Sequence, residues 1–547
     1  MIGRWTRIAL VCLVCFAVPG SSVHVLAVTP TGKGPVIASG ILSRRWQADF
    51  PDGWSNVRLL EDVVVVTHGE RLEGRDLTTG NTLWAFSMSD IHGYTAPEGR
   101  LEVTGDLVVA VAPRGELQGD SILVFKGRTG TVLWDLGTGL RRTDMPAPYF
   151  NFLGIGRSRA VIYLPGLRVL RGLDIIDGQQ RWDSPLPSGC RSLSGDADES
   201  VAAVLLGCAG RTRLRALDPS TGRVLWDREV FPLNDPLITV SGGAVGLLSD
   251  HAFTVYDIDG RRLYEHIAGL RCGCMLAAID TGLVILREEP YTSDFVVEAV
   301  DRRSGRVVRV DGGQRAFKSA WVVDGRIYGM RQLGDLLQGV AIVAIDPATG
   351  GQRPIVALPG YMSVVGINRH TLLVDPGIGS DEAPLTAYTI VAPRGADPGA
   401  VSRGGVAADD WPNACALLPP TALRAEFPEA NYTAVPRPAP PELNLRAPVG
   451  CDLVPRDTRH PILTLSVLWV SGSADEAENI FKTTMTSLTR GLRNATTLRS
   501  GVRLYVDEMD ATLIRVDRIV VRLDGTRDQG VAERLAHQVA RTLRTAA

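Results

Sequence analysis

The sequence predicts a mainly β chain of two units: an eight-bladed β-propeller of four-stranded blades over residues 40–395, then a small disulfide-stapled α+β domain over 411–547. Three observations predict it. A turn-and-aromatic motif recurs about every 45 residues, and apolar alternating runs stand upstream of most copies. The repeat then stops before 396–410, a stretch rich in Gly, Ala and charge that reads as a linker. A length of 547 residues suggests three to four domains at about 150 residues each. A single ring of repeated units reduces that to two.

The clearest copies of the motif are Leu77-Thr78-Thr79-Gly80-Asn81-Thr82-Leu83-Trp84, the stretch from Gly127 through Gly130 to Trp134, and the stretch from Leu217 through Gly222 to Trp226. Weaker copies centre on Gly178 with Trp182, Gly260 with Tyr264, then Gly305, Gly350 and Gly395. Successive glycines lie 50, 48, 44, 38, 45, 45 and 45 residues apart, which makes eight units. Asp76, Asp174, Asp218, Asp301 and Asp346 stand four residues before the glycine, and Asp257 one later in its unit. Such an Asp bonds backbone amides in the turn while Gly takes the positive φ of a tight hairpin. The aromatic four residues on is placed to pack between sheets. Runs such as Val63 to Val66, Leu107 to Val111 and Val201 to Leu206 supply further strands. Trp46 stands on an aromatic strand without its own hairpin, and Leu385 to Gly395 is a hairpin without its own Trp strand. Pairing the two closes the ring and removes its exposed edges.

The Leu-Asp-x-x-Thr-Gly-x-x-Leu-Trp pattern resembles the repeat of pyrroloquinoline-quinone (PQQ)-like β-propellers, most clearly at Gly80, Gly130 and Gly222. It decays after Gly305, where Arg309 and Pro354 replace the aromatic. That family divides into quinoprotein dehydrogenases and cofactor-free scaffolds, among them the propeller lipoprotein of outer-membrane barrel assembly and many actinobacterial exported proteins. The resemblance implies, for an enzyme, a Trp platform beneath a disulfide of adjacent cysteines, and bound calcium. No Cys-Cys dipeptide occurs here; Cys272-Gly273-Cys274 is the nearest approach.

Other features bound the function. The 58 basic and 60 acidic residues give no electrostatic case for nucleic-acid binding. Only four of the basic residues are Lys, leaving 58 − 4 = 54 Arg, a bias that suggests a GC-rich, actinobacterial coding genome. Arg4 and Arg7, the apolar run Ile8 to Val18 and the small residue Ala27 read as a secretory signal over 1–27, with an uncleaved anchor as the alternative. No other segment is long and apolar enough to span a membrane. The remaining six cysteines suit an oxidising compartment. Cys190 with Cys208 and Cys415 with Cys451 are the expected pairs, and Cys272 with Cys274 is left open among fifteen pairings. No His-Glu-x-x-His, Gly-x-Ser-x-Gly or phosphate loop appears; Cys12-Leu13-Val14-Cys15 lies inside the apolar run of the expected signal, so no Cys-x-x-Cys pair suggests zinc, and Asp507-Glu508-Met509-Asp510 reads as a solvated turn.

The C-terminal unit reads β-α-β-β-α. Trp411 to Leu418 opens a short helical segment, and a Pro-rich stretch leads to Cys451. Ile462 to Val470 is a strand; Ser473 and Glu476 form a capping box for a helix through Leu488. Val502 to Val506 and Leu513 to Leu523 are strands, and Asp528 caps a last helix striped with Val531, Leu535, Val539 and Leu543. Its Asn-Ala-Cys-Ala-Leu-Leu opening is similar to small domains of actinobacterial exported lipoproteins and sensor ectodomains. The expected function is therefore an exported scaffold that binds envelope proteins, without catalysis, cofactor or metal. A PQQ-dependent oxidoreductase and a ligand-sensing C-terminal module are the alternatives.

Overall fold

A computed structural model describes residues 27–28, 41–50, 53–69, 71–87, 100–113, 120–136, 149–156, 158–230, 237–249, 252–267, 274–279, 282–288, 295–310, 317–323, 325–333, 339–359, 362–368, 370–375, 384–391, 406–443, 445–489, 496–497, 503–506, 511–526 and 528–546. The expected signal segment lies outside these, apart from Ala27, which with Val28 pairs in parallel to Val322–Val323.

Each repeat unit folds as one antiparallel four-stranded blade. Blade I comprises Asn56–Leu59, Val63–His68, Arg71–Asp76 and Thr82–Ser87. Blades II to VII begin at Arg100, Asn151, Cys190, Leu237, Cys274 and Phe317. Blade VIII takes three strands, Ser363–Ile367, Thr371–Asp375 and Leu385–Val391, from the end of the repeat region. Its fourth is Ile41–Ala48, with Trp46 opposite Ala387. The ring is thus closed by its own N-terminal strand, as the complementarity of Trp46 and the last hairpin predicts.

The turn glycines Gly80, Gly130, Gly178, Gly222, Gly260, Gly305 and Gly350 all carry a positive φ, between 67° and 79°; Gly395 lies outside the described residues. In seven of the eight blades the register shifts where the third strand meets the fourth. Such a bulge re-aims the side chains that follow it. Second strands such as Val63–His68, with four consecutive buried valines, pack on both faces because each blade is covered by a neighbour on either side.

The second unit is a seven-stranded antiparallel sheet. One end is the strand Tyr432–Arg437, followed by Gly450–Pro455, Leu463–Val470, Ile519–Asp524, Ala511–Val516, Arg503–Val506 and Thr496–Thr497. Helices α1 (Pro420–Glu426), α2 (Ala474–Thr489) and α3 (Gln529–Ala546) complete it. The Ser473 hydroxyl accepts the Glu476 N–H at 3.2 Å, but the Glu476 carboxylate reaches one residue further back, to Gly472 N–H at 3.1 Å. Asp528 caps α3 through Val531 N–H at 2.9 Å, and Leu535, Val539 and Leu543 are buried.

Three sequence expectations change here. Leu513 to Leu523 is a hairpin rather than one strand, turning at Asp517-Arg518, with Val516 opposite Ile519. Asp517 adopts φ 50° without a glycine to announce it. The Pro-containing segments around Cys451 form a further strand pair, because Pro436 and Pro455 fall where the ladder needs no N–H from them. The expected linker is packed from Val406 onward: Val406 and Ala408 are buried, and Asp410 pairs with Arg518 at 3.1 Å. One continuous apolar cluster runs from blade VI through VII and VIII into the second unit. Trp469 lies over Gly339, Trp411 meets Trp469 edge-on at 5.6 Å, and Arg331 pairs with Glu442.

Candidate functional site

The repeat residues converge on the seams between blades. Trp46 of blade VIII donates its indole N–H to Leu77 O of blade I at 2.8 Å. The same bond recurs from Trp84 to Gly127 O at 2.7 Å, Trp134 to Ile175 O at 2.8 Å, Trp182 to Pro219 O at 2.9 Å and Trp226 to Ile258 O at 3.0 Å. Each acceptor is a turn residue of the next blade, and the turn glycine lies beneath the same indole. A methyl group added to Gly80, Gly130, Gly178, Gly222 or Gly260 would stand 2.5–2.9 Å from the ring of Trp46, Trp84, Trp134, Trp182 or Trp226 respectively. Glycine therefore serves twice, supplying the positive φ and making room for the indole. Gly74 and Gly172, which the sequence reading passed over, open the space on the third strand for Trp84 and Trp182 of their own blades.

The Asp residues organise the turns themselves. Asp76 Oδ1 accepts Thr78 N–H at 3.0 Å and Thr79 N–H at 2.7 Å, Asp218 accepts Ser220 N–H at 2.8 Å, and Asp346 accepts Ala348 N–H at 2.9 Å. Asp301 accepts Ser304 N–H at 2.7 Å. The backbone bond from Thr79 holds the Asp76 carboxyl below its ordinary pKa, and that from Ser304 does the same for Asp301. Asp174 also takes Arg159 at 2.7 Å and Arg181 at 3.2 Å.

After Trp226 the seams change. Tyr264, at the aromatic position of blade V, is buried and donates its hydroxyl to the Glu298 carboxylate of blade VI. Burial, then the Glu298 bond and charge, push that hydroxyl far above its ordinary pKa. Beneath Gly305 and Gly350 there is no indole; the nearest atoms are Leu263 O at 3.8 Å and Arg309 O at 3.6 Å. The core shared with the second unit runs through blades VI to VIII, and blades VI and VII carry Arg309 and Pro354 in place of the repeat aromatic.

Buried carboxylates add locks that the motif does not show. Asp196 accepts Ala197 N–H and, across the seam, Val240 N–H at 2.8 Å. Asp198 accepts Ser200, Val201 and, across the same seam, Gly243 N–H at 2.7 Å. Burial pushes the Asp198 carboxyl up, opposed by these N–H bonds and the nearby Arg302. Asp120 reaches Phe152 N–H at 2.6 Å in the same manner. Their only sequence signal is an acidic residue within or beside an apolar strand.

Cys190–Cys208 joins the first two strands of blade IV with a Cα separation of 4.1 Å, and Cys415–Cys451 ties the start of the second unit to its sheet at 5.0 Å. Cys274 is disulfide-bonded and buried; Cys272 lies outside the described residues. Among the described residues no group of three or more His, Cys, Asp or Glu is placed to hold a metal ion. Every repeat indole named above is committed to a neighbouring blade, so none is presented as an open platform for a quinone.

Residues 158–310, which span blades III to VI, match the family model described as outer membrane protein assembly factor BamB. Blades III to VI therefore carry a repeat similar to that family's, within a ring whose fold is a β-propeller. No curated protein sequence matches the chain. Among solved structures, BamB from Moraxella catarrhalis is similar at 15% identity, covering 65% of this chain and 99% of that one, with a TM-score of 0.36. Quinohemoprotein alcohol dehydrogenase from Comamonas testosteroni is similar at 11%, covering 65% and 78%, with a TM-score of 0.37. The WD40 domain of SCAP from fission yeast stands at 8%, 64% and 98%, with 0.36. The blades and their closure, rather than these likenesses, establish the architecture of this propeller.

The seam geometry makes one prediction directly. Gly222→Ala drives a methyl into Trp182 at a φ of 72°, so it destabilises the propeller by about 1–3 kcal/mol. Trp182→Ala empties the seam and costs about 3–5 kcal/mol. The double variant costs clearly less than the sum, since the methyl then has room. Urea unfolding of the four proteins measures this; additive losses would show that Gly222 and Trp182 do not act as one lock.

Proposed function

We propose that this protein is an exported scaffold of the cell envelope whose propeller binds partner proteins without chemistry of its own. The observation that carries the reading is the fate of the repeat indoles: they lock blade to blade and leave none as an open quinone platform. The match of blades III to VI to a family described as an outer-membrane assembly factor supports a protein-binding role. Among the described residues no helix is long and apolar enough to cross a membrane. The core shared with the second unit involves blades VI to VIII, which leaves blades I to V as the face offered to partners.

The test is crosslinking in the native envelope followed by mass spectrometry, beside titration of the purified protein with PQQ and calcium. The expected result is crosslinks from blades I to V to defined envelope proteins and no quinone response. A saturable absorbance change with dye-linked alcohol oxidation would overturn the scaffold reading in favour of an oxidoreductase.

A further inference from the structure

The second unit carries an open groove of about 490 Å³, within the range of small-ligand sites. Its walls include Pro436, Pro438, Pro448, Ala434, Leu445 and the disulfide-bonded Cys415. Among the described residues two polar side chains line it, Asn413 and Arg446. The Asn413 side-chain oxygen is committed to Cys415 N–H at 2.9 Å, which leaves its amide N–H groups to donate. Arg446 is exposed and has no ion pair among the described residues, whereas nearby Arg437 is paired with Asp452 and Arg331 with Glu442. Among the described lining residues the polar side chains thus offer N–H donors from Arg446 and Asn413, a single positive charge and no carboxylate, the complement of a carboxylate ligand.

The walls choose between an acyl chain and a peptide. Arg456 donates its N–H to Asn431 O at 3.0 Å. Antiparallel alternation then turns the backbone of Thr433 and Val435 toward the neighbouring strand, and that of Ala434 and Pro436 outward. An incoming peptide strand would meet Pro436 where it needs an N–H, and Pro438 and Pro448 have none to offer. Pro448 O is already taken by Ala414 N–H at 3.0 Å. Peptide amides would go unpaired along these walls, while methylenes need no partner.

We infer that this groove binds a single-chain fatty acid, its carboxylate at Arg446 and Asn413 and its chain along the proline wall. The site lies outside the propeller, so its test is independent of the scaffold reading. Isothermal titration of the full chain with dodecanoate below its micelle concentration is expected to show saturable one-site binding, at least about tenfold tighter than that of dodecan-1-ol. Arg446→Ala is expected to weaken dodecanoate about tenfold, Arg446→Lys to restore most of it, and Ala434→Trp, which fills the groove from an exposed position, to abolish it. Thermal unfolding of each variant confirms that the fold is retained. No saturable binding up to about 1 mM, equal binding of the alcohol, or binding indifferent to both Arg446→Ala and Ala434→Trp would overturn the inference.

Discussion

Replacing Ile41–Ala48 with a Gly-Ser segment of equal length is expected to destroy the propeller as a soluble monomer. This strand is the fourth strand of blade VIII, paired along its length with Leu385–Val391. Trp46 is 8% exposed and bonds Leu77 O in blade I, so one strand both completes the last blade and locks it to the first. Loss of the buried indole alone costs about 3–5 kcal/mol, against a total stability of about 5–15 kcal/mol for a typical domain. The bared edge of Leu385–Val391 is also a template for pairing with other chains. Size-exclusion chromatography and urea unfolding check this. A monomer with an unchanged urea midpoint would show that the ring does not depend on this closure.

Truncation after residue 405 is expected to be nearly as severe. It removes Trp411, Leu417, Leu465 and Trp469 from a core that they share with Leu333, Val340 and Met362 of the propeller side. Baring a contiguous apolar face of that kind favours aggregation. The ion pair between Arg331 and Glu442 is lost in the same cut. The finer probe is Trp469→Ala in the full chain, expected to cost about 3–5 kcal/mol and to lower the unfolding midpoint of the propeller together with that of the second unit. A truncated chain that stays soluble with an unaltered midpoint would mean that the second unit is a passenger. The packing predicts the opposite: it braces the ring through blades VI to VIII, two of which carry no repeat aromatic.

Much of this was legible in the sequence because it is local. A Gly with positive φ, in most units an Asp that bonds amides two or three residues on, and in the earlier units an aromatic at fixed offset are constraints within a dozen residues, and the glycine recurs with positive φ in all seven described turns. Trp46 was legible as a closing strand because it lacked its own hairpin. Turns without such residues were not: Asp517-Arg518 reverses the chain with neither Gly nor Pro, so Leu513 to Leu523 reads as one strand. Pro436 and Pro455 conceal a strand pair, since whether a proline harms a ladder depends on which way its nitrogen faces, which is a property of the partner strand.

By itself the sequence determined the eight units, their hairpins and the strand that shuts the ring, because period and turn chemistry are written in neighbouring residues. Tertiary structure alone decided what the signature residues touch. It set each repeat indole on the next blade's carbonyl and glycine, brought Asp196 and Asp198 to amides 44 and 45 residues away, and placed Val406, at the end of the expected linker, in a common core. The cross-seam contacts join positions about one repeat apart, but which side chain meets which amide is decided only when neighbouring blades are laid against each other.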